Sequence, residues 1–169
     1  MPFSIYDASI PALHRALNAL DHLLDKGLAS AEERKIEPQV FTEARLAPDM
    51  LPLKGQVWLA SEMAARGAAR LAGVEIPNYP YVEQTFEELK GRVAMARDYI
   101  KAFTREQIEG GEAREFTVKL GPNEVDFTGA SYLMGFTLPN VYFHVTTAYD
   151  ILRHNGVVLS KPDYMGAPV

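Results

Sequence analysis

The segment from 139 to 156 reads Pro139-Asn-Val-Tyr-Phe-His144-Val-Thr-Thr-Ala-Tyr-Asp-Ile-Leu-Arg-His-Asn-Gly156. Its core-facing positions recur in steps of three and four residues, which is the period of a helix with one buried face. One of these positions is a histidine, and the full stripe is Val141, His144, Ala148 and Ile151. Asn155-Gly156 is a typical helix end. The segment predicts a last helix from Pro139 to His154 that buries an imidazole.

Three earlier segments show the same period, and each has its own cap or stop. The first runs from Ser9, a predicted N-cap, to Lys26, and Gly27 is predicted to end it. The second runs from about 49 to 71, and the third opens with the capping box Thr85-Phe-Glu-Glu88. Together with the last helix, they predict a mainly α fold, an antiparallel four-helix bundle.

The period changes to two just before the last helix. Phe116, Val118 and Leu120 alternate with polar residues, and turn chemistry follows at Gly121-Pro-Asn123. We therefore predict a small β-hairpin at about 114–128, inserted into a single domain that spans 1–169. The tail, about 157–169, contains two prolines and is predicted to be an extended arm.

Composition excludes several classes of function. The 169 residues include 17 Lys and Arg against 22 Asp and Glu, a net charge of −5, which argues against nucleic acid and anionic membranes as partners. There is no cysteine, so thiol catalysis, Cys-ligated zinc and disulfides are excluded. Neither a signal peptide nor a run of ~18 apolar residues is recognisable. The expectation is a soluble cytoplasmic domain.

His144 is the residue whose position suggests a site. An imidazole buried without a hydrogen-bond partner costs a few kcal/mol, so it requires one. Asn140 lies one turn earlier on the same face, and Gln56 is the best candidate on another helix. Two interpretations stay open: a buried hydrogen-bonded pair that fixes helix register, or a ligand or metal site between helices.

Other chemistry-bearing residues give weaker signals. Trp58 and Tyr149 are amphipathic aromatics that could line a pocket or simply pack. The remaining histidines fall on polar helix faces or in a last turn, where a solvated side chain is expected: His14, His22 and His154. No phosphate-binding loop, dinucleotide fingerprint, zinc-protease motif or nucleophile elbow is present.

The chain resembles a bacterial family of unknown function within the DinB/YfiT-like superfamily. The resemblance covers nearly the whole chain, and its most specific parts are Asn140 to Gly156, Leu51-Pro-Leu-Lys-Gly-Gln-Val57 and Ala-Arg-Leu-Ala-Gly73. It implies a four-helix bundle. Many members of the superfamily hold a divalent metal through three histidines, one on the second helix and an H-x-x-x-H pair on the last, and some are thiol-dependent transferases.

Only one of those three histidines is present here. The resemblance places His144 at the second position of the H-x-x-x-H pair, with Asn140 at the first and Gln56 near the second-helix ligand. Amide oxygens are weaker ligands for zinc or nickel than imidazole. We therefore expect a degenerate metal site with no tightly bound transition metal and no cofactor beyond a weakly bound divalent ion.

Three functions remain open from the sequence. The first is a small-molecule-binding or structural bundle, with Gln56, Asn140, His144, Tyr149 and Trp58 as the ligand-binding residues. The second is a divalent-metal enzyme that uses Gln56, Asn140 and His144, helped by Asp7 or Tyr149. The third is an interaction module that works as a homodimer. A homodimer and an unknown small molecule are the expected partners.

Overall fold

The computed structural model describes residues 4–166. The helical elements, four long and the rest short, are in chain order α1 Ile5–Arg34, α2 Pro38–Thr42, α3 Leu53–Ala72, α4 Phe86–Lys101, α5 Arg105–Ile108, a 3-10 turn Gly111–Ala113, α6 Gly129–Tyr132, a π-helical segment Leu133–Thr137, α7 Leu138–His154 and α8 Lys161–Met165. Two strands, β1 Glu115–Leu120 and β2 Asn123–Thr128, precede α6. The predicted mainly α bundle with a hairpin before the last helix is confirmed.

The four long helices α1, α3, α4 and α7 form the bundle, and α3 contacts both α4 and α7. Gly67 of α3 approaches Thr137, at the start of the last helical run, while Gln56 approaches His144 further along it. The later residue of α3 meets the earlier residue of the last helical run, and the earlier one meets the later one. The two helices therefore run antiparallel. Leu and Ala side chains of all four helices fill the core between them.

The hairpin closes against the end of the bundle through aromatic rings. Phe116 of β1 pairs with Phe127 of β2 in antiparallel register. Both rings meet Tyr132 edge-on, with centroids 5.2 Å apart in each case. The Arg70 guanidinium of α3 lies 4.5 Å from the centre of the Phe116 ring. A two-stranded sheet is marginal alone, so these contacts supply the support that it needs.

The first helix is longer than its sequence pattern predicted. Ser4, not Ser9, is the N-cap and forms a capping box with Asp7, while the Ser9 hydroxyl donates to the Ile5 carbonyl within the helix at 2.7 Å. Gly27 does not end α1. A Cβ there would lie 3.0 Å from Phe86 and Leu152, so this glycine allows close packing rather than a stop, and the helix continues to Arg34.

The predicted C-terminal arm is not extended throughout. Val157 and Leu159 are buried, and Ser160 then caps α8 through a capping box with Asp163. The prolines did not prevent this helix, because Pro162 stands in its first turn, where no backbone N–H is needed. Residues 167–169 of the arm lie outside the described residues. Within 4–166, no helix combines the length and apolarity needed to cross a bilayer.

We predict that Gly67→Ala destabilises the protein by roughly 1–3 kcal/mol, the usual cost of overpacking. The new methyl group would lie 2.4 Å from Thr137 Cγ2, and the buried, β-branched threonine cannot move aside. Gly91→Ala is the matched control, since it lies on an exposed helical position with nothing within 4 Å. It should gain up to about 1 kcal/mol. Urea unfolding measures both changes, and equal effects would contradict the account.

Candidate functional site

The site begins with a hydrogen bond between two bundle helices. Gln56 on α3 is 1% exposed and His144 on α7 is 8% exposed. His144 Nδ1 lies 2.8 Å from Gln56 Oε1. Helical spacing places both residues on buried faces, Gln56 beside Leu53 and Val57 and His144 beside Val141 and Ala148. The structure thus brings together two of the residues singled out from the sequence.

The surrounding hydrogen bonds assign the proton on His144. Gln56 Nε2 donates to the Leu51 carbonyl at 2.9 Å, which turns Gln56 Oε1 towards the imidazole. An amide oxygen only accepts hydrogen bonds, so His144 Nδ1 must carry the proton. The lone pair of the neutral ring is then on Nε2, which has no hydrogen-bond partner among residues 4–166.

His144 stays neutral near physiological pH. Burial lowers its pKa from the ordinary value of 6.5, because a charged imidazolium loses hydration that its surroundings do not replace. The Phe143 ring stands edge-on to the imidazole, with centroids 5.3 Å apart. The result is an uncharged acceptor nitrogen in an apolar setting.

Asn140 does not join the Gln56–His144 pair. Its amide nitrogen donates to the Phe136 carbonyl at 2.7 Å, back along the same helical run. The sequence grouped Asn140 with His144 because residues four apart share a helix face, but a short amide side chain can satisfy the backbone instead.

The aromatic candidates and Asp7 make other contacts. Trp58 stacks on Tyr81, with ring centroids 5.3 Å apart, and Tyr149 meets Tyr164 of α8 edge-on at 6.4 Å. Asp7 accepts hydrogen bonds from Arg105 and Ser4, and these bonds, that of Arg105 first, lower its pKa to about 2. The ligand-binding role predicted for Trp58 and Tyr149 stays a prediction.

Arg92 on α4 is a buried charge that the sequence reasoning missed. Its Nη1 donates to the Pro80 carbonyl at 2.8 Å and to Glu83 at 3.1 Å, and its guanidinium lies 5.3 Å from the centre of the Tyr81 ring. Arg92 therefore holds the segment between α3 and α4 against the bundle. A signal existed, since Arg92 follows the core residue Leu89 by three positions.

The donor set does not fit a transition metal. The Gln56 oxygen already accepts from His144, the Asn140 amide nitrogen donates to the Phe136 carbonyl, and His144 offers one nitrogen. In the part of the chain from 4 to 166, no three His, Cys, Asp or Glu side chains are grouped so that they could hold a metal ion.

Comparison with solved structures identifies the class of protein. A crystal structure of a DinB family member from Shewanella denitrificans superimposes with a TM-score of 0.87 at 34% sequence identity, covering 96% of this chain and 92% of that chain. The fold is therefore that of a DinB-like helical bundle. A family model described as a domain of unknown function, DUF1993, matches residues 5–165, and the chain belongs to that family. No curated protein matches the chain.

We predict that His144→Ala lowers the free energy of unfolding by roughly 1–3 kcal/mol at pH 8, because it orphans the buried Gln56 oxygen. Since the pKa of His144 is lowered in the folded protein, the unfolded chain binds the extra proton. The contribution of His144 to the free energy of unfolding is therefore fully present above the pKa of the unfolded chain, about 6.5, and it decreases as the pH drops below that value. The difference between the proteins should shrink from pH 8 to pH 5.

His154→Ala is the control for that measurement. It lies on the same helix but is exposed, so its removal at pH 8 should change the unfolding free energy by less than about 0.5 kcal/mol. A His144→Ala difference that grows as the pH falls would contradict the assignment of a neutral, buried imidazole.

Proposed function

We propose that this protein is a metal-free, small-molecule-binding member of the DinB-like fold. The observation that carries the proposal is the buried pair in which Gln56 accepts from His144 at 2.8 Å. This contact fixes the tautomer and leaves the lone pair of His144 Nε2 free to accept a hydrogen bond. The likeness to the DinB family member supports the fold of the proposal; the chemistry rests on the side chains of this chain.

The physical argument against a resident metal concerns charge and ligand type. Zinc sites use nitrogen or sulfur ligands at about 2.0–2.3 Å, and catalytic sites keep three protein ligands. Here one imidazole nitrogen is accompanied by two neutral amides, so a divalent ion would gain no countercharge. An ion at the Gln56 oxygen would also compete with the hydrogen bond from His144. Hydrogen bonds within the protein therefore satisfy these groups at a lower free energy than a bound ion would.

The ligand that suits His144 carries a hydrogen-bond donor. A neutral imidazole with a protonated Nδ1 accepts at Nε2, and Gln56 holds the ring so that little freedom is lost when a ligand binds. Residues two apart on a helix do not share a face, so Trp58, which stacks on Tyr81, is not assigned to the His144 site. The class is thus a small, uncharged or weakly basic molecule with an N–H or O–H group.

The test restores the missing ligands. We expect the wild-type protein, dialysed against zinc or nickel, to retain no metal by mass spectrometry and to keep its melting temperature when zinc or a chelator is added. The variant Gln56→His with Asn140→His rebuilds three imidazoles and should retain zinc. Near-stoichiometric metal in the wild type, lost in His144→Ala, would defeat the proposal and favour the divalent-metal enzyme instead.

The same proteins test ligand binding. A fragment screen by thermal shift should give donor-bearing hits whose effect disappears in His144→Ala and persists in His154→Ala. Hits that are indifferent to both substitutions would place small-molecule binding elsewhere on the protein.

We also propose that the protein forms a homodimer, because large apolar side chains of the last helical run face outward. Met134 is 61% exposed and Phe143 is 55% exposed. We propose that these side chains belong to the interface of a two-fold pair, the commonest closed assembly.

Light scattering at micromolar concentration should give about twice the monomer mass of 18.8 kDa. Phe143→Glu should shift the protein to the monomer, because it puts a charge into an apolar contact. Val158→Glu is the control, since Val158 is also exposed but lies outside that helical run. A wild-type mass near 18.8 kDa would contradict the dimer.

A further inference from the structure

A cavity lies on the outer side of α1, on a face of the bundle that the Gln56–His144 pair does not use. Helix α8 lies against α1 and is held there by His22 Nε2 and Asp163 Oδ1, 2.9 Å apart. The cavity has a volume of about 700 Å³ and is lined by α1, by Lys101 at the end of α4 and by α8. We call it the α1–α8 cavity. Its volume is within the range of small-molecule sites.

Two cations line the α1–α8 cavity and take part in no ion pair of the described residues 4–166. They are Arg15 of α1 and Lys101. His14 also lines the cavity. Burial first, then the charges of Arg97 and Lys101, lower its pKa, while Asp98 opposes this. The polar part of the cavity is therefore positive.

One carboxylate, Asp163, also lines the cavity and is ionised at neutral pH, because hydrogen bonds from His22 and Ser160 lower its pKa to about 2. Asp21 and Asp98 are not part of the lining, and Asp21 pairs with Arg97 and Lys90. The two cations, Arg15 and Lys101, therefore outnumber the single carboxylate of the lining. The protein as a whole carries a net charge of −5 and repels anions in general. A local excess of positive charge on such a protein favours an anion at this cavity over the protein surface as a whole.

Most of the remaining lining is apolar. Tyr6, Ile10 and Pro11 of α1 face Pro162 of α8 across the cavity. A second, smaller cavity of about 270 Å³ shares Arg15 and Ala19 with the first and is otherwise bounded chiefly by alanine, valine and tyrosine side chains. A ligand that fits both features has a charged head and an apolar body.

We propose that the α1–α8 cavity binds an amphipathic carboxylate, with its carboxylate between Arg15 and Lys101 and its apolar body against Ile10 and Ala19. The guanidinium of Arg15 can bind a carboxylate with two parallel hydrogen bonds, whereas Lys101 contributes a point charge. The apolar body supplies most of the affinity by leaving water. This site does not depend on the function proposed for His144.

Calorimetric titration of the full chain with four probes tests the proposal. Decanoate has the head and the body, acetate the head alone, decanol the body alone, and decylammonium the opposite charge. Decanoate should bind, acetate should show no saturable binding, and decanol and decylammonium should bind more weakly than decanoate. Equal affinity for decanoate and decylammonium, or no saturable decanoate binding, would overturn the proposal.

Substitutions then locate the head group. Arg15→Gln and Lys101→Gln should each weaken decanoate binding by roughly fivefold or more, the effect of losing one partly exposed ion pair. Both residues are exposed, so circular dichroism should show unchanged folding. Arg153→Gln is the matched control, an exposed arginine at the end of α7. An equal loss in the control would overturn the site.

Histidine signals in nuclear magnetic resonance give a second readout. Decanoate should shift the ring signals of His14 and His22, which line the cavity, and should raise the pKa of His14 by adding a negative charge beside it. The signals of His144 should stay in place. Decanoate shifts confined to His144 would overturn the proposal.

Discussion

Gly67 of α3 leaves no room for a side chain against Thr137, and this close approach sets the relation between α3 and the whole last helical run. A Cβ at Gly67 would lie 2.4 Å from Thr137 Cγ2. His144 lies about two helical turns after Thr137, and Gln56 lies about three turns before Gly67. The close approach of the two helices therefore brings the two side chains within hydrogen-bond distance. The polar pair therefore depends on a packing contact between small groups.

The Gln56–His144 pair satisfies its buried polar groups without any charge. A buried charge needs a partner and further hydrogen bonds to offset its lost hydration, whereas the amide of Gln56 and the imidazole of His144 satisfy one another without charge. Leu51 fixes the amide and the amide fixes the ring. The orientation of His144 thus follows from a backbone carbonyl just before α3, two residues from the start of that helix.

Sequence reasoning worked where a signal is local and repeated. Helical stripes, the capping box at Thr85 and the hairpin turn depend on neighbouring residues, and all three appear in the structure. Gln56 was found as the partner of His144 because a buried imidazole demands one. The start and end of α1 were wrong because serine and glycine each have two roles: Ser9 bonds back to its own helix, and Gly27 makes room for Phe86.

The features that sequence reasoning missed involve charges whose partners lie in a loop or on a short helix. Arg92 is buried because the segment that carries Pro80 and Glu83 folds over it, and no periodicity reports such a contact. The same holds for α8, whose position on α1 comes from the contact between His22 and Asp163. The bundle core is specified by spacing, whereas its outer cavities are made by charged residues on segments that spacing alone does not place. A ligand on the outer face of α1 therefore meets a different kind of chemistry from one at His144, charged rather than neutral, although both sites rest on the same four helices.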